Sequence, residues 1–263
     1  MRHARIAATA CVLHALACLP PAHAGVVLAN TRVVFHGDAR EATVRLDNRH
    51  AHPVLVQAWV EHGSPPARDA PMVVPFAPHP PLVRIEPGKG QAMRVHRLPG
   101  PLPADRETLF WLNVLDVPPD PPASDAMSAM KIALRTRVKL FYRPVGLAGT
   151  AAKAPAALRW RLAFEGGAAV LRVDNPTPYH VSIARIVLGD GLDLHGDMVA
   201  PFATMDLRFD APAAGASASG DLAGLRMARL RASMRIGFDA INDVGGTDRF
   251  TSGIAPASED GAR

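Results

Sequence analysis

Cysteine is almost absent from this sequence of 263 residues, which holds only Cys11 and Cys18. Both lie in a stretch that reads as a leader. Met1-Arg2-His3-Ala4-Arg5 is basic, Ile6 to Leu19 is mainly apolar, and Ala22-His23-Ala24 supplies the small residues of a peptidase site. Residues 1–24 are therefore expected to be a secretory signal peptide, with the mature chain starting at Gly25. Cys18 follows Ala15-Leu16-Ala17 and lacks the leucine that usually stands three residues before a lipidated cysteine. With the leader removed there is no disulfide, no thiol nucleophile and no thiolate metal site, so stability must come from burial.

Other absences narrow the function. No second apolar run approaches the ~20 residues needed to span a bilayer, so the mature protein is expected to be soluble beyond the inner membrane. A Gly-x-Ser-x-Gly elbow is missing, and Gly215-Ala216-Ser217-Ala218-Ser219-Gly220 does not supply one. Eleven histidines include His50, His52 and His62, but spacing sets no third ligand beside them. Asp190, Asp193 and Asp197 lack the ligand order and closing glutamate of a calcium loop, and read as turn residues. No cofactor or metal is expected, and the chain does not read as an enzyme. The net charge is +5, but the basic residues are dispersed and export separates the protein from nucleic acid. Acidic peptides or a carboxylate suit this charge better.

Helical periodicity is nearly missing as well, and what replaces it is period-two alternation. Val44 and Leu46 alternate with polar neighbours, Val54, Val56, Ala58 and Val60 share a face, and so do Met93 with Val95 and Phe110 with Leu112 and Val114. Turn-forming clusters separate these runs, as at residues 48–53, 86–90 and 118–122. The fold class expected is all-β, with strands packed as sandwiches. Pro144 to Pro155 loses the alternation and reads as a linker. A second strand series starts with Leu158, Trp160, Leu162 and Phe164, turns at Gly166-Gly167 and returns through Val170 to Val173. The expected division is a first domain over 25–146 and a second over 155–250. Asp210 to Gly224 reads as a long loop, and the polar tail after Gly246 as poorly ordered. Trp59, Trp111 and Trp160 fall in strand runs and read as packing residues.

From Met127 to Pro144, Met130, Ile132, Leu134, Thr136, Val138 and Leu140 lie on one face of an extended strand, and Lys131, Arg135, Arg137 and Lys139 on the other. Two readings fit the alternation. The strand is either an ordinary sandwich strand with a solvated basic face, or an edge whose apolar row a partner covers.

Several blocks resemble the periplasmic pilus chaperones of the chaperone/usher pathway. They are Thr31 to Phe35, Pro101 to Val114 ending in Val117-Pro118-Pro119, Ile132 to Pro144, Asp174 to Tyr179, and Ile241 to Gly246. The resemblance implies two immunoglobulin-like β-sandwich domains in a boomerang arrangement. It implies a chaperone that binds, folds and caps pilus subunits by donor-strand complementation and delivers them to an outer-membrane usher. In that scheme Arg32 and Lys139 hold the subunit's C-terminal carboxylate. Met130, Ile132 and Leu134 fill the subunit's groove, and Glu86, Arg143 and Asp243 form interdomain ion pairs. The short connection from Pro119 to Met127 places the chain with the family's short-loop branch, which builds rod-like pili. The disulfide that some members carry late in the second domain cannot form here. Expected partners are pilus subunits and the usher, without nucleic acid, and the free protein's exposed strand leaves self-association open. The alternative is a structural immunoglobulin-like pilus or surface component, against which stand the Arg32 and Lys139 pair and two complete strand series.

Overall fold

The computed structural model describes residues 25–63, 74–120, 131–165, 168–188, 192–209 and 235–256. The expected leader, Met130, the Gly166-Gly167 turn and the whole Ala/Gly/Ser-rich segment from Asp210 to Gly224 lie outside the described residues.

Alternation decides where strands form and which way they face. The first half contains β1 (Val26–Leu28), β2 (Arg32–His36), β3 (Glu41–Asn48), β4 (Val54–His62), β5 (Phe76–His79), β6 (Leu82–Ile85), β7 (Gly90–Arg97), β8 (Thr108–Val117) and β9 (Leu134–Arg143). These make one sheet in the order β1-β3-β7-β5 and another in the order β2-β9-β8-β4-β6. Their inward residues, among them Val44, Leu46, Val56, Met93, Val95, Phe110, Leu112 and Leu140, form a single apolar cluster between the sheets. Burial of such side chains drives the packing, at roughly 25 cal/mol per Å² of apolar surface.

The second half contains β10 (Arg159–Glu165), β11 (Ala168–Asp174), β12 (Val181–Leu188), β13 (Leu192–His195), β14 (Met198–Val199), β15 (Thr204–Phe209), β16 (Arg235–Ile241) and β17 (Thr247–Pro256), joined in one hydrogen-bonded path β13-β12-β16-β17-β10-β11-β15 with β14 on β12. A separate core gathers Trp160, Leu171, Val173, Ile183, Ile186, Ile236, Phe238 and Ile254. The chain is therefore all-β, with two sandwiches and a core in each. Between them, residues 144–157 run through turns into a short 3-10 helix at Ala154–Ala157. Leu147, Ala151 and Ala154 pack on the second core.

Residues 247–256 of the tail depart from the expected disorder. β17 pairs antiparallel with β16 over Thr247 to Gly253, then parallel with β10 from Ile254 to Pro256. Few apolar residues mark it in the sequence: backbone hydrogen bonds tie it to two neighbours, Ile254 is buried and Phe250 stacks on Phe238.

A fully buried asparagine fixes a loop in each domain. Asn48 Nδ2 donates to the carbonyls of His52 and Ile85, both at 3.0 Å. Asn175 Nδ2 donates to Tyr179 O at 2.8 Å and Ala200 O at 2.9 Å. Buried carbonyls that find no strand partner are satisfied in this way.

Candidate functional site

β9 positions most of the candidate side chains. Over Leu134 to Tyr142 it pairs antiparallel with β8. On its other side β2 runs parallel to it, but only from Lys139 to Arg143. Among the described residues, the edge from Leu134 to Val138 therefore has no strand beside it. The inward row of β9 leaves the core over this same stretch. Leu140 is 0% exposed and Val138 7%, whereas Leu134 is 50% exposed and Ile132 59%. Ile132 precedes the hydrogen-bonded strand, which starts at Leu134 rather than at Met127.

The opposite row divides at Lys139. Arg135 lies over the Trp59 ring at 5.1 Å and Arg137 over the Trp111 ring at 4.3 Å, with Glu61 bridging them. Lys139, Phe141 and Arg143 instead face the second domain. Lys139 Nζ donates to Ser182 Oγ at 3.3 Å, the Phe141 ring is 5.3 Å from that of His180, and Arg143 reaches Asp243.

Arg32 and Lys139 are direct partners across the β2 and β9 pair, so the parallel register brings the two cations together at the step where the open edge ends. Arg32 is buried, at 7% exposed. One of its terminal nitrogens donates to Ile241 O at 3.0 Å, while its buried Nε has no partner. Burial holds the Arg32 guanidinium below its ordinary pKa, against the opposing pull of Asp243 and Glu107. Burial likewise lowers Lys139, the neighbouring Arg32 lowers it further, and Asp197 works in the other direction. An anion placed beside two such desolvated cations would favour the charged form of both. A cavity of about 260 Å³ opens beside them, lined from both domains by Arg32, Phe141, Ser182, Asn242, Asp243 and Phe250 among others.

The domains are joined next to this site. Arg143 Nε donates to Glu107 Oε1 at 2.6 Å, and its two terminal nitrogens donate to the Asp243 carboxylate at 2.7 and 2.8 Å. The other Glu107 oxygen accepts the His180 backbone N–H at 2.8 Å. Gly245 completes the junction. Its φ is +86°, and a Cβ there would collide with Thr31 Oγ1.

Glu86 does not belong to this cluster. It is exposed on a turn of the first domain and pairs with Arg84 at 2.8 Å, so the acidic partner of Arg143 besides Asp243 is Glu107. Sequence reading missed Glu107 although it lies within the block Asp105-Arg106-Glu107-Thr108. Its position directly before a strand was the available signal. Away from the junction, His50 binds Asp116 and stacks on His52, and Asp193 binds Arg185. Among the described residues, no group of three or more His, Cys, Asp or Glu could hold a metal.

Comparison with known proteins agrees with this architecture. Residues 25–148 match the family described as pili and flagellar-assembly chaperone, PapD N-terminal domain. Residues 153–252 match the pili assembly chaperone PapD C-terminal domain. The probable fimbrial chaperone YadV of Escherichia coli K12 is 37% identical over 242 residues, covering 90% of this chain and 92% of its own. The crystal structure of the Pseudomonas aeruginosa CupB2 chaperone superposes with a TM-score of 0.67 at 34% identity, over 87% of this chain and all of that one. The SafB chaperone, solved in complex with the Salmonella enterica SafA pilin, gives a TM-score of 0.65 at 27% identity, over 89% of this chain and 98% of its own.

Proposed function

The chain belongs to the PapD-type pilus-assembly chaperones, and from that membership we propose that it captures pilus subunits by lending them β9, with Arg32 and Lys139 holding the subunit's C-terminal carboxylate. The observation that carries this reading is the continuity of an unpaired strand edge, Leu134 to Val138, with a pair of buried cations at its end.

Direction follows from that continuity. β2 runs parallel to β9 and starts opposite Lys139. A guest strand on the open edge whose carboxylate ends at Lys139 must also run parallel to β9. Backbone hydrogen bonds then set the register, and Leu134, Ile132 and Met130, the last outside the described residues, project into the guest. Each such burial is worth roughly 1.5 to 3 kcal/mol, and the charge-assisted bonds to the carboxylate fix where the strand stops.

The partner is a sandwich lacking a strand, and nothing in its capture requires a covalent step. Work in the periplasm, transfer to an outer-membrane usher, and self-association of the free protein through the same edge complete the proposal. Interdomain contacts among Glu107, Arg143 and Asp243 hold the angle at which Lys139 meets the second domain.

The test is co-expression in a bacterial periplasm with candidate pilin subunits, followed by pull-down through a C-terminal tag. The wild-type chain should retain a one-to-one subunit complex, and Lys139→Ala or Arg32→Ala should lose it while staying folded. Full subunit recovery with either variant rejects the carboxylate anchor. Failure of the wild-type chain with every candidate favours a structural component instead.

A further inference from the structure

Asp116 on β8 is a carboxylate that the capture site does not use. It is 4% exposed, and it lies directly across from Leu134, the first paired residue of β9. Its Oδ2 accepts the Val26 backbone N–H at 3.0 Å and meets His50 Nε2 at 2.8 Å. Its Oδ1 is buried and has no hydrogen-bond partner among the described residues. A buried carboxylate oxygen left unpaired is costly, so its presence beside Gly25 needs a reason.

Gly25 supplies one. A Cβ placed on Gly25 would stand 2.8 Å from Asp116 Oδ2, 3.3 Å from His50 Nε2 and 3.4 Å from Leu134 Cδ1. The α-nitrogen of Gly25 is two bonds from that point, hence roughly 2.5 Å away from it. It is held nearby because the Gly25 carbonyl accepts the Arg49 N–H at 3.3 Å and Val26 pairs with Asn48.

We propose that Asp116 is a receptor for a primary ammonium, namely the chain's own N-terminus created when the leader is cut after Ala24. Before cleavage the Gly25 nitrogen is a neutral amide with a single hydrogen. After cleavage it carries a positive charge and three donors, and it can give the Asp116 carboxylate a charge-assisted bond that the amide cannot. Gly25 suits the role because any side chain would occupy the space between Asp116 and Leu134. Leader removal thereby tightens the root of the strand that is lent to the subunit. This inference rests on reading Gly25 as the mature start.

Mass spectrometry of the exported protein tests that premise first, and a mature chain beginning elsewhere overturns the proposal without touching the capture assay. The pairing is then tested with purified chains that begin either at Gly25 or with one added alanine before it, each with Asp116 or Asp116→Asn. The added alanine should lower Tm by roughly 4 °C or more when Asp116 is present and leave it unchanged in the Asp116→Asn background. An equal shift in both backgrounds, or none in either, overturns the proposal. Should Asp116→Asn fail to fold, NMR titration of the Gly25 ammonium in the unmutated chain decides. A pKa above the ordinary α-amine range of about 7.7–8.0 is expected, and an ordinary value overturns the pairing.

Discussion

Glu86 and Glu107 carry the same charge and meet opposite surroundings. Glu86 is solvated beside Arg84, and an exposed pair of that kind contributes about 0–1 kcal/mol. Glu107 is buried, accepts from Arg143 and from the His180 backbone, and is the acid on which the junction turns. Glu107→Ala should therefore destabilise the protein by about 3 kcal/mol, because the Arg143 Nε–H and the His180 backbone N–H lose their acceptor, while Glu86→Ala changes stability by no more than roughly 0.5 kcal/mol. Urea denaturation of both variants measures the difference. Asp243 makes a pH prediction. Its hydrogen bonds to Arg143 hold its carboxyl below the ordinary value, so its contribution is complete above the unfolded pKa and disappears as pH falls through the lower folded one. Asp243→Asn should lower Tm at pH 7 and progressively less below about pH 4, as thermal scans across that range would reveal. Arg143, Asp243, Arg32 and Lys139 could be named because each lies in a short block that resembles the chaperone family. Glu107 could not be told from Glu86, since the burial that separates them is produced by a second domain meeting the first.

At the scale of the element, β9 carries three environments in ten residues: an open edge, a sandwich core and a domain junction. Period-two alternation made its two faces legible in advance, including the placement of Lys139 opposite the apolar row. The alternation did not reveal where pairing starts, because exposed and buried apolar residues look alike until the reach of the opposing sheet is known. Leu134 shares its parity with Val138, yet the core ends between them. Ile132→Asp or Leu134→Asp should thus leave folding intact, since each side chain is already exposed, and abolish subunit capture by forcing an unpaired charge into an apolar groove. Circular dichroism together with subunit pull-down reads both halves of that expectation. β17 is the counter-example. Its polar sequence gave no periodic signal, and its place between β16 and β10 is set by the backbone.

For the whole molecule, two separate cores meet through a small polar junction. Such interfaces permit relative motion unless specific contacts oppose it. Here Arg143 bridges Glu107 of its own domain to Asp243 of the other. Arg143→Ala should uncouple the halves, and scanning calorimetry should then resolve two unfolding transitions in place of the coupled transition expected of the parent. The parallel alignment of β2 and β9 also has a mechanical meaning. On the proposed mode of capture, a guest strand lying along the open edge and stopped by Arg32 and Lys139 would be loaded in shear when its far end is pulled. All its hydrogen bonds then share the force, and traction alone is a slow way to detach it. A rival strand that enters from the unanchored end meets those bonds one at a time. The same joint can therefore hold fast under tension and yield readily to exchange.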